Sequence, residues 1–142
     1  MKDERSSYRQ IEHTADLGVE VTASELAPLF STASEALYSL IANPATIENR
    51  SELTVSATGT GVEELLHAWL CELLALFNTD GFIGKRCAIV HLSDERVEGK
   101  IAGEKLDLTR HDFHTEIKGV TYHDYRVWNE NGEWHARVIF DV

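Results

Sequence analysis

The sequence predicts an α+β domain in which two main helices pack on a largely antiparallel (mixed) β-sheet. Apolar residues recur every three or four positions over residues 26–41 and again over residues 62–77, which predicts the two helices. The later chain alternates apolar and polar residues in consecutive short runs, which predicts the sheet. Two helices separated by a strand, followed by consecutive strands late in the chain, are typical of the α+β class.

The composition is that of one folded domain. The chain has 142 residues, of which 43% are hydrophobic and 26% are charged. Residues 1–7 are mostly polar and are predicted to form a disordered N-terminal tail. A single domain is therefore expected over residues 8–142, since no repeat or linker divides them.

The first quarter of the chain is predicted to hold two short extended segments and a helix. Residues 8–13 are extended, and a turn follows in which Gly18 is free to adopt a positive φ. Apolar residues alternate with polar ones over residues 19–23, which predicts a strand. The helix over residues 26–41 accommodates Pro28 because a proline is tolerated in the first turn.

The second helix is expected to be central to the core. A strand over residues 53–57 precedes it, and Thr60–Glu63 matches a capping box at its start. A wide apolar face runs from Val62 to Phe77, and Asn78–Gly81 ends the helix. His67 is interpreted as a surface or packing residue of this helix.

The remaining chain is predicted to be rich in β-structure. Its expected segments, in order, are strands at residues 86–92 and 96–103, a loop at 104–114, an extended run at 116–128, a hairpin turn at 129–132 and a return strand at 134–140. The hairpin is expected because Asn131-Gly132 stands at its turn.

The charge balance argues against a free-standing nucleic-acid binder. Lys and Arg number 13 against 24 Asp and Glu, for a net charge of −11, and carboxylates repel phosphate backbones. A basic protein partner or a carboxylate metal site is compatible with this charge. No apolar run reaches the length of a membrane span and the N-terminus is polar, so a cytoplasmic protein without membrane contact is expected.

Cysteines and most histidines give weak functional signals. Cys71 and Cys87 form no CxxC pair and are predicted to be buried free thiols. His111 and His114 match HxxH, which is a weak zinc motif without a second pair of ligands. No glycine-rich phosphate-binding motif is present in the sequence.

Three polar clusters contain the candidate functional residues. They are His13–Asp16 at a strand end, Lys118–His123, and Asp141, which directly follows an apolar run. An aspartate that closes a buried strand is costly unless a cation neutralises it, and oxygen ligands suit calcium or magnesium. The alternatives are a solvated chain end for Asp141 and an Asx turn for Asp16.

Taken in order, these clusters resemble the archease family, small acidic proteins that act as cofactors of the RtcB-type tRNA-splicing RNA ligase. The resemblance covers Tyr8–Val142 and rests on the segments His13–Gly18, Leu29–Leu37, Leu65–Leu74, Lys118–His123 and Val138–Val142. Departures are small. Gly119 stands where the family more often has alanine, and Leu17 and Val142 stand where isoleucine is usual.

The resemblance implies a divalent-cation site, commonly seen with calcium, for which magnesium or manganese are alternatives. The implied ligands are Asp16, Asp141 and Val142, the last through a main-chain or terminal carboxyl oxygen. The residues implied to face a partner or to support the site are His13, Lys118, Tyr122 and His123.

The function implied by the resemblance is activation of an RNA ligase, without a reaction of the chain's own. Such a cofactor promotes guanylylation of the ligase, a transfer in which metal ions balance phosphate charge, and multiple turnover. One alternative is a metal-dependent hydrolase that uses Asp16 and Asp141, with His123 as general base. A chaperone-like binding module is another. The lack of a third firm ligand and of a phosphate loop favours the cofactor.

Overall fold

The structure, a computed structural model, describes residues 6–13 and 16–142. The elements in chain order are β1 (Ser7–His13), β2 (Asp16–Ala23), α1 (Leu26–Ile41), β3 (Ser51–Thr58), α2 (Val62–Asp80), β4 (Phe82–Leu92), β5 (Arg96–Lys105), β6 (Gly119–Val120), β7 (Arg126–Glu130) and β8 (Glu133–Asp141). A short 3-10 helix, Pro44–Thr46, follows α1. Residues 1–5 of the predicted tail lie outside the described residues, as do residues 14–15 of the predicted turn.

The strands form two sheets, and every pairing among the described strands is antiparallel. The larger sheet has five strands in the order β1-β2-β8-β6, with β7 also paired to β8. The smaller sheet has the order β3-β5-β4. This arrangement confirms the predicted α+β class with two main helices. It also places the C-terminal strand β8 in the interior of the larger sheet.

The core is one continuous cluster built from both helices and both sheets. Helix α2 is central to it, as predicted, with eight buried residues from Leu65 to Phe77. The largest fully buried side chain is Trp69, whose indole Nε1 donates a hydrogen bond of 2.7 Å to Ser34 Oγ of α1. Because that bond satisfies the indole nitrogen, the tryptophan is buried without an unpaired donor.

The predicted capping box does not form at the start of α2. Gly61 is the N-cap residue, with φ at 88°, and no side chain caps the helix. The Glu63 carboxylate instead accepts a 2.8 Å hydrogen bond from the Val127 N–H. A partner from β7 therefore replaces the local backbone donor that the sequence pattern suggested.

The segment predicted to be extended over residues 116–128 is broken into two short strands by a turn. Asp124 has φ at 52° within that turn. The Tyr125 hydroxyl donates a 2.6 Å hydrogen bond to the Glu63 carbonyl, which holds the turn against the first residues of α2. Contact with the helix therefore overrides the local preference for extended chain.

The prediction of two buried thiols is wrong for one of them. Cys87 is buried, and burial raises the pKa of its thiol to about 12. Cys71 lies on an exposed position of α2. Over the described part of the chain, no helix combines the length and apolar character that membrane crossing requires.

Candidate functional site

The predicted metal ligands lie at one end of the larger sheet. Leu17 of β2 faces Phe140 of β8, so the next residues outward, Asp16 and Asp141, occupy opposing positions. The row continues on both sides, because His13 of β1 pairs with Asp16 and Gly119 of β6 pairs with Asp141. Residues from four separate parts of the chain thus meet in one row of the sheet.

Asp16 and Asp141 also lie on the same face of that sheet. Side chains alternate between faces along a strand, and directly opposing residues share a face. Val138 and Phe140 point into the core and are fully buried, so Asp141 belongs to the opposite face, which turns away from the helices. This face is where the two carboxylates could approach a common ion.

An isoleucine pair packs beneath the carboxylates on this outer face. Ile139 is fully buried there, next to Ile11 of β1. A Cβ on Gly18 would lie 2.7 Å from Ile11 Cγ1 and 2.8 Å from Ile139 Cδ1, so glycine is needed for this close packing. The expectation of a positive φ at Gly18 was therefore wrong, since the residue lies within β2 and is absent from the positive-φ glycines.

The Asp141 carboxylate is exposed and makes no hydrogen bond or ion pair with the described residues. Its main-chain oxygen accepts a 2.7 Å hydrogen bond from the Lys118 N–H, which fixes the backbone at this point. Val142 follows and is 37% exposed. An unshared carboxylate on a fixed backbone is a suitable oxygen ligand for a hard cation.

The described side chains do not supply a complete metal cage. No group of three or more His, Cys, Asp or Glu side chains is arranged to hold an ion there. Two aspartates and one main-chain or terminal oxygen fit calcium chemistry only as part of a site, because calcium takes six to eight oxygen ligands. The remaining ligands would have to come from water or from a partner.

His67 holds the segment that braces Asp141. Its Nε2 lies 3.1 Å from the Val120 carbonyl oxygen, and a carbonyl can only accept, so Nε2 carries the proton. The ring stacks on Tyr122 with centroids 3.8 Å apart and planes 6° from parallel. Burial lowers the pKa of His67, which favours the neutral ring. The sequence interpretation of His67 as a packing or surface residue missed this bracing role.

The other implied surface residues lie on the segment from β6 to β7. Lys118 is exposed next to Asp141, and Tyr122 is 69% exposed although it stacks on His67. His123 is also exposed, with Nε2 3.7 Å from Asp124 Oδ2. The structure brings Lys118 to the carboxylate end of the sheet and places Tyr122 and His123 along the adjoining turn.

The chain matches a known protein family over almost its whole length. The model of the Archease protein family (MTH1598/TM1083) matches residues 8–142. The chain belongs to the archease family. The match covers the segments on which the resemblance rested, and it confirms that resemblance.

Archease relatives span the chain almost from end to end. The protein archease of Methanopyrus kandleri is 37% identical over 138 residues, covering 95% of this chain and 99% of the relative. The protein archease of Pyrococcus furiosus is 32% identical over 139 residues, covering 95% and 98%.

Two solved structures share the archease fold. The solution structure of protein 1598 of Methanobacterium thermoautotrophicum superposes with a TM-score of 0.81 at 28% identity and covers all of both chains. The crystal structure of a Thermotoga maritima archease, described as a possible chaperone, gives a TM-score of 0.67 at 18% identity, with 94% and 96% covered. At that identity the second likeness concerns the fold alone.

A further carboxylate in this archease, Glu104, was not singled out by the sequence. It is 4% exposed and accepts hydrogen bonds from Arg110 Nη2 at 2.6 Å and from the Glu48 N–H at 2.7 Å. His111 Nε2 lies 2.9 Å from it, and His111 Nδ1 accepts a 2.8 Å bond from the Asp107 N–H. Hydrogen bonding from Arg110 is the main cause that lowers the Glu104 pKa to about 2. His111 thus belongs to a buried network, while His114 is exposed.

Proposed function

We propose that this chain is a non-catalytic protein cofactor that activates an RtcB-type RNA ligase in tRNA splicing or RNA repair, by promoting guanylylation and multiple turnover of the ligase. One observation carries the proposal. Asp16 and Asp141 share the outer face at the end of the larger sheet, and the exposed Asp141 carboxylate forms no hydrogen bond or ion pair with residues 6–13 or 16–142. Membership of the archease family supports the same interpretation.

The proposed site holds a divalent cation through Asp16, Asp141 and Val142. Calcium is the first expectation because all three ligands are oxygens, and magnesium or manganese are alternatives. The protein ligands leave coordination positions open, which a phosphate oxygen at the ligase could occupy. The cation would then balance phosphate charge during guanylylation, while this chain contributes position and carboxylate charge.

The net charge of −11 supports association with a basic RNA enzyme, since complementary charge speeds encounter. The proposed partner-facing residues adjoin the metal site. They are His13, Lys118, Tyr122 and His123. Their placement at one end of the sheet would present the cation and the contact surface to the ligase together.

The test is ligase guanylylation with GTP and divalent metal, with and without substoichiometric amounts of this chain. The wild-type protein is expected to accelerate guanylylation, and Asp141→Asn to lose at least about tenfold of that acceleration because a neutral amide oxygen replaces a charged carboxylate ligand. Asp94→Asn is the matched control. Asp94 is an exposed aspartate between β4 and β5, so this variant has the same charge change away from the site.

Other outcomes separate the alternatives. Unchanged ligase turnover with the wild-type protein contradicts the cofactor proposal. Metal-dependent hydrolysis of a phosphoester by the protein alone would favour a hydrolase that uses Asp16, Asp141 and His123. Suppression of ligase aggregation without faster guanylylation would favour the chaperone-like module.

A further inference from the structure

The outer face of the larger sheet carries a row of three arginines and one glutamate across four strands. Arg9 of β1 pairs with Glu20 of β2, Glu20 pairs with Arg137 of β8, and Arg137 pairs with Arg126 of β7. We call these four residues the arginine row. Its local charge is positive in a chain whose net charge is −11. Three of the eight arginines of the sequence therefore lie together on one uncovered surface.

The charge within the arginine row is not balanced. Glu20 accepts hydrogen bonds from Arg137 Nε at 3.0 Å and Nη2 at 2.7 Å, and it also binds Arg9. Arg126 makes no ion pair with any described residue, yet it lies directly opposite Arg137. Like charges at opposing positions destabilise a sheet. An anion from outside the chain would offset that repulsion.

The arginines remain available to such an anion. The Arg9 side chain is 71% exposed and the Arg137 side chain 44% exposed. A guanidinium has five N–H donors, and Arg137 uses only the donors on Nε and Nη2 toward Glu20. Glu20 thereby orients two arginines without consuming their capacity to bind phosphate.

An aromatic pair adjoins the arginine row. Trp128 of β7 pairs with His135 of β8, and their rings are stacked with centroids 5.1 Å apart and planes 14° from parallel. Arg126 Cζ lies 4.6 Å from the centre of the Trp128 ring. A hollow of about 260 Å³ in this region is lined by Arg126, Trp128 and Arg137 together with Tyr125 and one carboxylate residue, Asp124.

We propose that the arginine row binds the phosphates of a single-stranded RNA whose bases lie against the Trp128–His135 pair. Arginine forks match phosphate geometry, and single-strand sites combine a cationic track with aromatic rings or guanidinium planes on which bases stack. An acidic protein segment would match the arginines but would leave the aromatic pair unused. The net charge of −11 makes this binding weak and sensitive to salt, in agreement with the expectation of no strong nucleic-acid binding.

The arginine row lies near Asp16 and Asp141 on the same face of the larger sheet. Arg137 and Asp141 are four residues apart on β8, or roughly 13 Å at about 3.3 Å per residue. An RNA strand on the row would therefore run close to Asp16 and Asp141. The inference itself needs neither the ligase nor a bound metal, so it can fail or succeed independently of the proposed function.

The test is fluorescence anisotropy of a short labelled single-stranded RNA, titrated with the full chain at low salt in the presence of EDTA. Arg126→Gln is expected to weaken RNA binding about tenfold. It should also reduce the slope of log affinity against log salt concentration by about 0.7, the change for one phosphate contact on a single strand. Arg86→Gln is the matched control, because Arg86 is an exposed arginine of β4 on the other sheet. The Arg86 variant changes the net charge by the same amount, and its affinity for the RNA is expected to stay within about twofold of the wild-type affinity.

Further binding measurements distinguish RNA from other ligands. Trp128→Leu is expected to weaken binding of RNA but not of polyglutamate, since only bases use the ring. No RNA binding at low salt, or equal losses for the Arg126 and Arg86 variants, overturns the proposal. Tighter binding of polyglutamate than of RNA also overturns it, as does a dimer in sedimentation that Arg126→Gln dissociates. Circular dichroism verifies that each variant is folded.

Discussion

Glu104 and Asp141 are both carboxylates near the end of a strand, but they differ in burial and in the number of hydrogen bonds that they accept. Glu104, on β5 of the smaller sheet, is 4% exposed and accepts hydrogen bonds from three residues, besides an ion pair of 3.2 Å with Arg50. Asp141, on β8 of the larger sheet, is exposed and its carboxylate is unshared by the described residues. A carboxylate saturated by the chain's own donors stabilises the fold, whereas an unshared one is available to a ligand.

The partners of the two residues explain the difference. Arg110 and His111 bring the chain after β5 back over Glu104, and the Glu48 N–H reaches it from the segment before β3. These bonds tie two irregular segments to the smaller sheet. At Asp141 the neighbouring segment contributes only the Lys118 N–H, and it bonds to the main chain.

The largest expected effect comes from Glu104→Gln. Removing the charge leaves Arg110 only its exposed partner Asp107 and Arg50 only its exposed partner Glu48. It also weakens the bond from the buried His111, so the free energy of unfolding should fall by about 3 kcal/mol. Urea denaturation followed by circular dichroism measures this loss. Asp141→Asn, the counterpart on the other sheet, should change it by less than about 0.5 kcal/mol. Equal losses for the two variants would contradict the comparison.

The contribution of Glu104 to the stability of the fold should also depend on pH. The Glu104 pKa is lowered from 4.5 to about 2 in the folded protein, mainly by the hydrogen bond from Arg110. A lowered carboxyl pKa stabilises the fold above the unfolded-state value, and that stabilisation is lost as the pH falls from about 4.5 toward 2. The stability difference between wild type and Glu104→Gln should therefore shrink over this range. Urea denaturation at several pH values measures this difference in the free energy of unfolding. A difference that stays constant between pH 6 and pH 3 would show that the charge of Glu104 does not contribute to stability.

The two carboxylates also differ in how visible they are in the sequence. Asp141 stands out because it directly follows the apolar run Val138–Phe140, which is a local pattern. Glu104 is revealed only by tertiary contacts, since the Glu48 N–H that it binds lies 56 residues away in the chain. The same limit applies to Glu63, whose local capping pattern is overridden by a bond from Val127.

Periodicity predicted the fold better than it predicted strand pairing. Both helices and most strands are recognisable from their apolar spacing, because that spacing follows directly from which face is buried. The division of the strands into two sheets depends on contacts between distant segments, such as β2 with β8, which no local pattern encodes. The His67 contact with Val120 joins residues 53 apart and was missed for the same reason.

A smaller effect is expected from Gly18→Ala, under the carboxylate end of the larger sheet. The added methyl group would meet Ile11 Cγ1 at 2.7 Å and Ile139 Cδ1 at 2.8 Å. The isoleucines must shift to accommodate it, so a loss of about 1–2 kcal/mol in the free energy of unfolding is expected. Urea denaturation measures it, and an unchanged midpoint would show that the outer isoleucine pair is loosely packed.

Gly119→Ala is the matched control for Gly18→Ala, because both glycines flank β8, where Gly18 pairs with Ile139 from the β2 side and Gly119 pairs with Asp141 from the β6 side. A Cβ there would meet nothing within 4 Å, and Gly119 is not among the residues with positive φ. Alanine restricts the unfolded chain more than glycine does, so a gain of about 0.5 kcal/mol is expected instead of a loss. Opposite signs for these two substitutions would show that the outer face beside β8 is closely packed toward β1 at Ile139 and open toward β6 at Asp141. A loss at both positions would mean that β6 is held as tightly as the interior strands and that a ligand could not approach Asp141 from that side.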